Sequence, residues 1–120
     1  MRKLAESKNY SVWHEYEAVL LLIRDGRKIV IGDFYGDPEV AIIDAAEKWC
    51  AVGGCGLIVY WFKEPFVEYR YGVSSPQYLE FNRHRPDIWW VENLKQLGPF
   101  DLEIQVAGGA THNISFHRTL

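Results

Sequence analysis

The chain has 120 residues, of which 48% are hydrophobic and 15% aromatic, enough for a single domain (residues 1–120) with a core of its own. Charged residues make up 24% and no low-complexity tract occurs, so the composition excludes a disordered chain. The formal net charge of −3 gives no general attraction for nucleic acid, and no segment approaches the roughly 18 apolar residues of a membrane span. We therefore expect a cytoplasmic protein that binds neither nucleic acid nor a membrane.

The first third of the chain predicts strands. From Val12 to Arg24 the residues alternate between apolar and polar and then become continuously apolar, which is typical of a strand that enters a core. Asp25-Gly26 follows, a dipeptide that favours a two-residue hairpin turn, and residues 27–34 are rich in β-branched side chains. These features predict an N-terminal hairpin.

The next segment predicts the main α-helix, over about residues 38–52. Asp37 is suited to the N-cap, Pro38 to the first helical position and Glu39 to the positive end of the helix dipole. Gly53 is suited to the stop. Apolar side chains recur at helical spacing in Ile42, Ala45, Ala46 and Trp49.

Beyond this helix the sequence predicts two more hairpins and a possible second helix. Residues 55–62 are a short apolar run typical of a central strand, and residues 66–71 alternate as a returning strand would. The segment 72–86 fits either a helix or an edge strand. Apolar residues at helical spacing predict the second helix over about 88–97. The C-terminal segment alternates on both sides of a glycine turn, which predicts a last hairpin.

Together these elements predict an α+β fold. Hairpins dominate, and the helices come between them in the sequence. We therefore expect a largely antiparallel sheet packed against the main helix.

No motif in the sequence specifies a catalytic reaction. The four histidines, at positions 14, 84, 112 and 117, are far apart in the sequence, and catalysis would need partners within hydrogen-bond reach. His112 and His117 differ in parity along the predicted last strand, so they would face opposite sides of the sheet. We accordingly predict no catalytic residue.

Metal and cofactor sites are not predicted either. Cys50 and Cys55 have no second cysteine pair and no nearby histidine, so they do not form a zinc motif, and in a cytosol both should be thiols. Asp33, Asp37 and Glu39 do not match the spacing of a calcium loop. The glycines around Asp33 lack the pattern of a phosphate-binding loop.

A protein-binding surface is the function that the residue pattern favours. Between residues 31 and 60 five acidic side chains are opposed by one lysine. Trp89 and Trp90 are adjacent, so both cannot point at one core site. Exposed aromatic side chains beside charges are typical of interfaces. The predicted partner-binding residues are Asp33, Tyr35, Asp37, Asp44, Glu47, Trp89 and Trp90.

Three segments resemble small bacterial immunity proteins. They are GDFYGDPEVAIIDAAEKWC (32–50), GGCGLIVYWF (53–62) and WWVENLKQL (89–97). The resemblance is to the immunity proteins that are paired with contact-dependent growth inhibition and related polymorphic toxins, and it covers roughly residues 10–107. It implies a cytoplasmic protein that has no chemistry of its own and binds the C-terminal domain of a cognate toxin, often a nuclease, as a heterodimer.

The leading hypothesis from the sequence is therefore an immunity protein that blocks the active site of its toxin. The alternative is a small hydrolase or nuclease-type enzyme that uses histidine and aspartate residues. A third hypothesis is a homo-oligomer that pairs through the exposed edge of the last hairpin.

Overall fold

The structure is a computed structural model that describes residues 1–116, and this part of the chain consists of strands, turns and loops. Eleven strands occur in it: β1 (Arg2–Glu6), β2 (Tyr10–Glu15), β3 (Ala18–Ile23), β4 (Lys28–Asp33), β5 (Val40–Ile43), β6 (Trp49–Gly54), β7 (Gly56–Trp61), β8 (Tyr78–Phe81), β9 (Val91–Gly98), β10 (Asp101–Val106) and β11 (Thr111–Ser115). The predicted α+β class is therefore wrong, and the described chain is all-β. No helix in it has the length and hydropathy needed to cross a membrane.

The strands form three antiparallel sheets that follow one another along the chain. The N-terminal sheet has the order β1-β2-β3-β4, the middle sheet β5-β6-β7-β8, and the C-terminal sheet β11-β10-β9. Within each sheet, strands that are adjacent in the sequence pair with each other, as local hairpin connections favour.

Two hydrophobic cores hold the sheets together, and the middle sheet contributes to both. Every residue of β6 and β7 is buried. Because side chains alternate across a strand, the even-numbered residues Cys50, Val52, Ile58 and Tyr60 belong to a first core shared with the N-terminal sheet. The odd-numbered Trp49, Ala51, Leu57 and Val59 belong to a second core shared with the C-terminal sheet. Burial on both faces explains the continuous apolar run that the sequence shows there.

The predicted main helix over 38–52 is wrong, because this segment forms β5, a turn and β6. Ala45 and Ala46, which complete the helical spacing in the sequence, are exposed in the turn. Glu47 has a φ of 56° in the same turn. Asp44 fixes the turn because its carboxylate accepts a hydrogen bond from the amide of Lys48 at 3.0 Å.

The predicted second helix over 88–97 is also wrong, because it forms β9. Val106 pairs with Val91 and Gln105 with Asn93, so the strand skips one residue at this point. This β-bulge places Val91 and Leu94 in the same core although they are three residues apart. The bulge thus produces a spacing that resembles a helical one.

The first and last predicted hairpins are confirmed. The amide of Ile23 donates to the carbonyl of Arg27 at 2.9 Å across the turn between β3 and β4, and β10 pairs with β11. The long first strand is divided at Tyr16, whose φ is 53°. The predicted middle hairpin is wrong, because β7 pairs with β8, the edge-strand alternative for 72–86.

Candidate functional site

A groove opens where residues flanking all three sheets come together. It consists of two adjoining cavities, of about 600 Å³ and about 320 Å³, which share Tyr35, Cys55 and Trp90. Tyr35 follows β4 of the N-terminal sheet, Cys55 lies between β6 and β7 of the middle sheet, and Trp90 precedes β9 of the C-terminal sheet. We call the two cavities together the aromatic groove.

Tyr35 projects from a turn that is anchored on both sides. The preceding Phe34 is buried in the first core, and its amide donates to the carbonyl of Glu17 at 3.0 Å. The following Gly36 has a φ of 79°, and its amide donates to the carboxylate of Glu17. Within this fixed turn the side chain of Tyr35 is 79% exposed.

Trp90 is held by its backbone, so that its side chain is free to face solvent. It forms an antiparallel bridge with Cys55, and its carbonyl accepts a hydrogen bond from the amide of Ala107 at 2.9 Å. The next residue, Val91, packs on Gly53, where a Cβ would lie 2.4 Å from a Val91 methyl group. This close approach requires glycine in β6. The side chain of Trp90 is 49% exposed.

Arg83 is a buried cation that lines the larger cavity. Its side chain is only 6% exposed and forms a 2.6 Å ion pair with Glu80. The guanidinium also donates to the hydroxyl of Tyr69 at 2.8 Å and to the backbone carbonyls of Asp33 and Cys55. Arg83 therefore ties the end of the N-terminal sheet to the middle sheet beside the groove.

Gly56 makes room for this arginine. It has a φ of 89°, and a Cβ at this position would lie 2.8 Å from the Cα of Arg83. Both the backbone conformation and the close contact therefore require glycine here.

The two halves of the groove differ in charge. The larger cavity is lined by Glu17 and Asp33 together with three basic side chains, Arg83, His84 and Arg85. The smaller cavity is lined by Asp37, Glu39 and Glu92 and by no lysine, arginine or histidine among the described residues. None of these three carboxylates forms an ion pair within residues 1–116. Their negative charge is thus available to a ligand.

Four of the seven predicted partner-binding residues come together at the groove. Tyr35 and Trp90 line both cavities, Asp33 lines the larger and Asp37 the smaller. All four are exposed. The structure brings them together although they are up to 57 positions apart in the sequence.

Asp44 and Glu47 lie elsewhere and hold turns. Asp44 is buried, and besides the amide of Lys48 it accepts a hydrogen bond from the side chain of Gln96 at 2.7 Å. Glu47 accepts hydrogen bonds from the Ser7 hydroxyl and from Asn9, which keep its pKa below the ordinary value. Both carboxylates therefore accept hydrogen bonds from within the protein, which is a structural role.

Trp89 and the histidines are distributed over different parts of the molecule. The ring of Trp89 stacks on His112 with centroids 4.7 Å apart. His14 is buried and accepts a hydrogen bond from Arg2 at 3.1 Å. His84 lines the larger cavity of the groove. His117, and with it the predicted difference in parity, lies outside the described residues.

The two cysteines are free thiols, as predicted. Burial raises the pKa of Cys50 far above its ordinary value. Cys55 lines both cavities of the groove. In residues 1–116 no three histidine, cysteine, aspartate or glutamate side chains are placed so that they could hold a metal ion.

The sequence did not single out several residues of the groove. Arg83 lies in the segment 72–86, which fits either a helix or an edge strand. Tyr71 lies in the predicted strand 66–71, and Glu92 lies in the predicted second helix. The sequence indicates Glu39 as a helix-dipole partner and as a weak candidate metal ligand, but not as a partner-binding residue. A signal existed for Arg83, because the run from Arg83 to Arg85 is the densest positive charge in that part of the chain.

Two buried tyrosines of the first core, Tyr60 and Tyr69, predict alkaline destabilisation. Burial raises the pKa of Tyr60 and of Tyr69, and the hydrogen bond to Glu80 raises that of Tyr69 further. A raised folded-state pKa means that the stabilisation is complete below about pH 10 and decreases at higher pH, by up to about 1.4 kcal/mol per pH unit for each tyrosine. Urea unfolding between pH 9 and 12 should show this decrease.

Two phenylalanine variants separate the contribution of the buried tyrosines from general alkaline unfolding. Tyr60→Phe should reduce the dependence of the unfolding free energy on pH, whereas phenylalanine at the 81% exposed Tyr16 should leave it unchanged. Equal slopes in wild type and Tyr60→Phe would contradict the assignment.

The fold and the groove define an all-β protein of three antiparallel sheets with an acidic, aromatic surface groove at their junction. Comparison of the chain with models of protein families, with curated proteins and with solved structures found no match in any of the three.

Proposed function

We propose that this protein is a cytoplasmic immunity protein, which binds the C-terminal domain of a cognate bacterial toxin at the aromatic groove and blocks the active site of the toxin. The observation that carries the proposal is the combination of two exposed aromatic side chains, Tyr35 and Trp90, with carboxylates that have no ion-pair partner in the described chain. In this proposal the protein inhibits the toxin by binding to it.

The exposed aromatic residues supply the affinity in this proposal. Large aromatic side chains contribute most of the binding energy of many interfaces when a partner buries them. Tyr35, Tyr71 and Trp90 all line the larger cavity and are 79%, 65% and 49% exposed. Their burial against a partner would remove a large apolar area from water.

The carboxylates supply partner selection and fast association. A nuclease domain attracts phosphate groups through a basic surface. An acidic groove is complementary to such a surface and accelerates encounter at low salt. This supports a nuclease as the toxin, in agreement with the resemblance of residues 32–50, 53–62 and 89–97 to immunity proteins.

A capture experiment with matched variants tests the proposal. Tagged protein is recovered from its source cells at moderate salt, the bound proteins are identified by mass spectrometry, and the identified domain is then titrated in purified form. Trp90→Ala should weaken binding of the identified domain by about thirtyfold, since a central aromatic residue of an interface typically contributes about 2 kcal/mol. Leu97→Ala is the control, because Leu97 is 47% exposed and lines a different cavity.

Growth assays complete the test. The captured domain should arrest cells when expressed alone, and co-expression of wild type or Leu97→Ala should restore growth, whereas Trp90→Ala should not. Retention of a harmless partner, or equal protection by both variants, would refute the proposal.

A further inference from the structure

The smaller cavity of the aromatic groove has the chemistry of a site for one cationic side chain. Asp37, Glu39 and Glu92 line it, and all three are exposed. Two aromatic rings, Tyr35 and Trp90, border the same space. Its volume of about 320 Å³ lies at the low end of ligand pockets. A single long side chain therefore matches it better than a whole structural element does.

The residues that line this cavity favour arginine over lysine. A guanidinium is planar, stacks on aromatic faces and donates paired hydrogen bonds to carboxylates. It is also less strongly hydrated than an ammonium group, so less energy is lost when it leaves water. The exposed faces of Tyr35 and Trp90 supply the stacking partners, and the unpaired carboxylates supply the acceptors.

The other half of the groove sets the direction of the bound segment. Arg83 and Arg85 line the larger cavity and offset the charge of its carboxylates Glu17 and Asp33, whereas the three carboxylates of the smaller cavity have no lysine, arginine or histidine beside them among the described residues. A cationic side chain that enters the groove is therefore directed to the smaller cavity.

We infer that the smaller cavity recognises an arginine side chain of the partner, inserted between Tyr35 and Trp90 and bound by Asp37, Glu39 and Glu92. The inference rests on the proposed function, because it identifies the chemistry by which the same groove selects a basic toxin domain.

Three capped tripeptides, Gly-Arg-Gly, Gly-Lys-Gly and Gly-Glu-Gly, test the inference without any partner protein. Each is titrated into ¹⁵N-labelled protein while the indole N–H resonances of the five tryptophans are recorded. The arginine peptide should shift the resonance of Trp90 and leave that of the buried Trp49 in place. The lysine peptide should bind about threefold more weakly or worse, and the glutamate peptide should cause no shift.

Charge-removing variants locate the site. Glu39→Gln combined with Glu92→Gln should weaken binding of the arginine peptide by about tenfold. Glu103→Gln, which removes a carboxylate of β10 that lines neither cavity of the groove, should change it by less than about twofold. Equal binding of the arginine and lysine peptides, or equal effects of the double variant and of Glu103→Gln, would overturn the inference.

The two proposals fail in different ways. If the arginine peptide does not shift Trp90 but Trp90→Ala still weakens toxin binding and removes protection, the arginine pocket is wrong and the immunity function stands. If the peptide binds as expected but the captured partner is harmless, the pocket stands and the immunity function is wrong.

Discussion

Replacing Arg83 by alanine is expected to lower the free energy of unfolding by about 3 kcal/mol, because it removes one partner of a largely buried ion pair. The Arg83 side chain is 6% exposed and pairs with Glu80, whose side chain is 33% exposed. This partial exposure of Glu80 places the loss at the lower end of the range for buried pairs. The carbonyls of Asp33 and Cys55 lose a donor as well, and because Cys55 is buried, its unpaired acceptor adds to the cost.

The neighbouring arginine provides the control. Arg85 is exposed, lines the same cavity and forms no ion pair within residues 1–116. Arg85→Ala should therefore change the stability by no more than about 0.5 kcal/mol. Arg83→Lys should fall between the two, because lysine keeps the charge but not the forked geometry. The measurement is urea unfolding at neutral pH, and equal midpoints for the two alanine variants would contradict the structural role of Arg83.

The hairpins are the part of the fold that could be predicted, because their turn signals are local. Asp25-Gly26 and Gly108-Gly109 each connect two strands as the sequence indicates. Both glycine turns include positive φ values, such as 102° at Gly26, which few other residues adopt. Such a preference acts within a few residues and does not depend on the rest of the fold.

The helices could not be excluded from the sequence, because their apparent spacing has causes that lie far away in the chain. Val91 and Leu94 share a core only because a bulge against β10 shifts the register of β9. Trp49 lies in a strand covered on both faces, so β6 shows no alternation that would distinguish a strand from a buried helix. Tertiary packing here overrides the local preference.

The same difference between local and long-range causes decides which residues of the candidate site could be predicted. Tyr35 and Asp37 could be predicted from composition, since they stand together in a short polar loop. Glu92 and Arg83 could not, because only the meeting of the sheets places them in the groove. Sequence alone also did not distinguish the free carboxylate of Asp37 from that of Asp44, which is buried and hydrogen-bonded to Gln96.

The second large expected effect concerns Trp49, which joins the middle and C-terminal sheets. Its side chain is fully buried in the second core, and its ring meets Phe116 edge-on at 5.0 Å between centroids. Its indole N–H donates to the carbonyl of Pro99 at 2.9 Å. Trp49→Ala removes these contacts and leaves a cavity, so we expect a loss of about 4 kcal/mol, a large fraction of the stability of a domain of this size.

Trp90→Ala is the matched control for Trp49→Ala, because it deletes the same side chain from a half-exposed position. Trp90 is 49% exposed, so its removal leaves no closed cavity and should cost less than about 1 kcal/mol. Urea unfolding should thus rank the two variants in the opposite order from partner binding, where Trp90→Ala has the larger effect. If Trp90→Ala destabilised the protein as much as Trp49→Ala does, Trp90 would be a core residue, and its effect on binding would follow from unfolding of the groove.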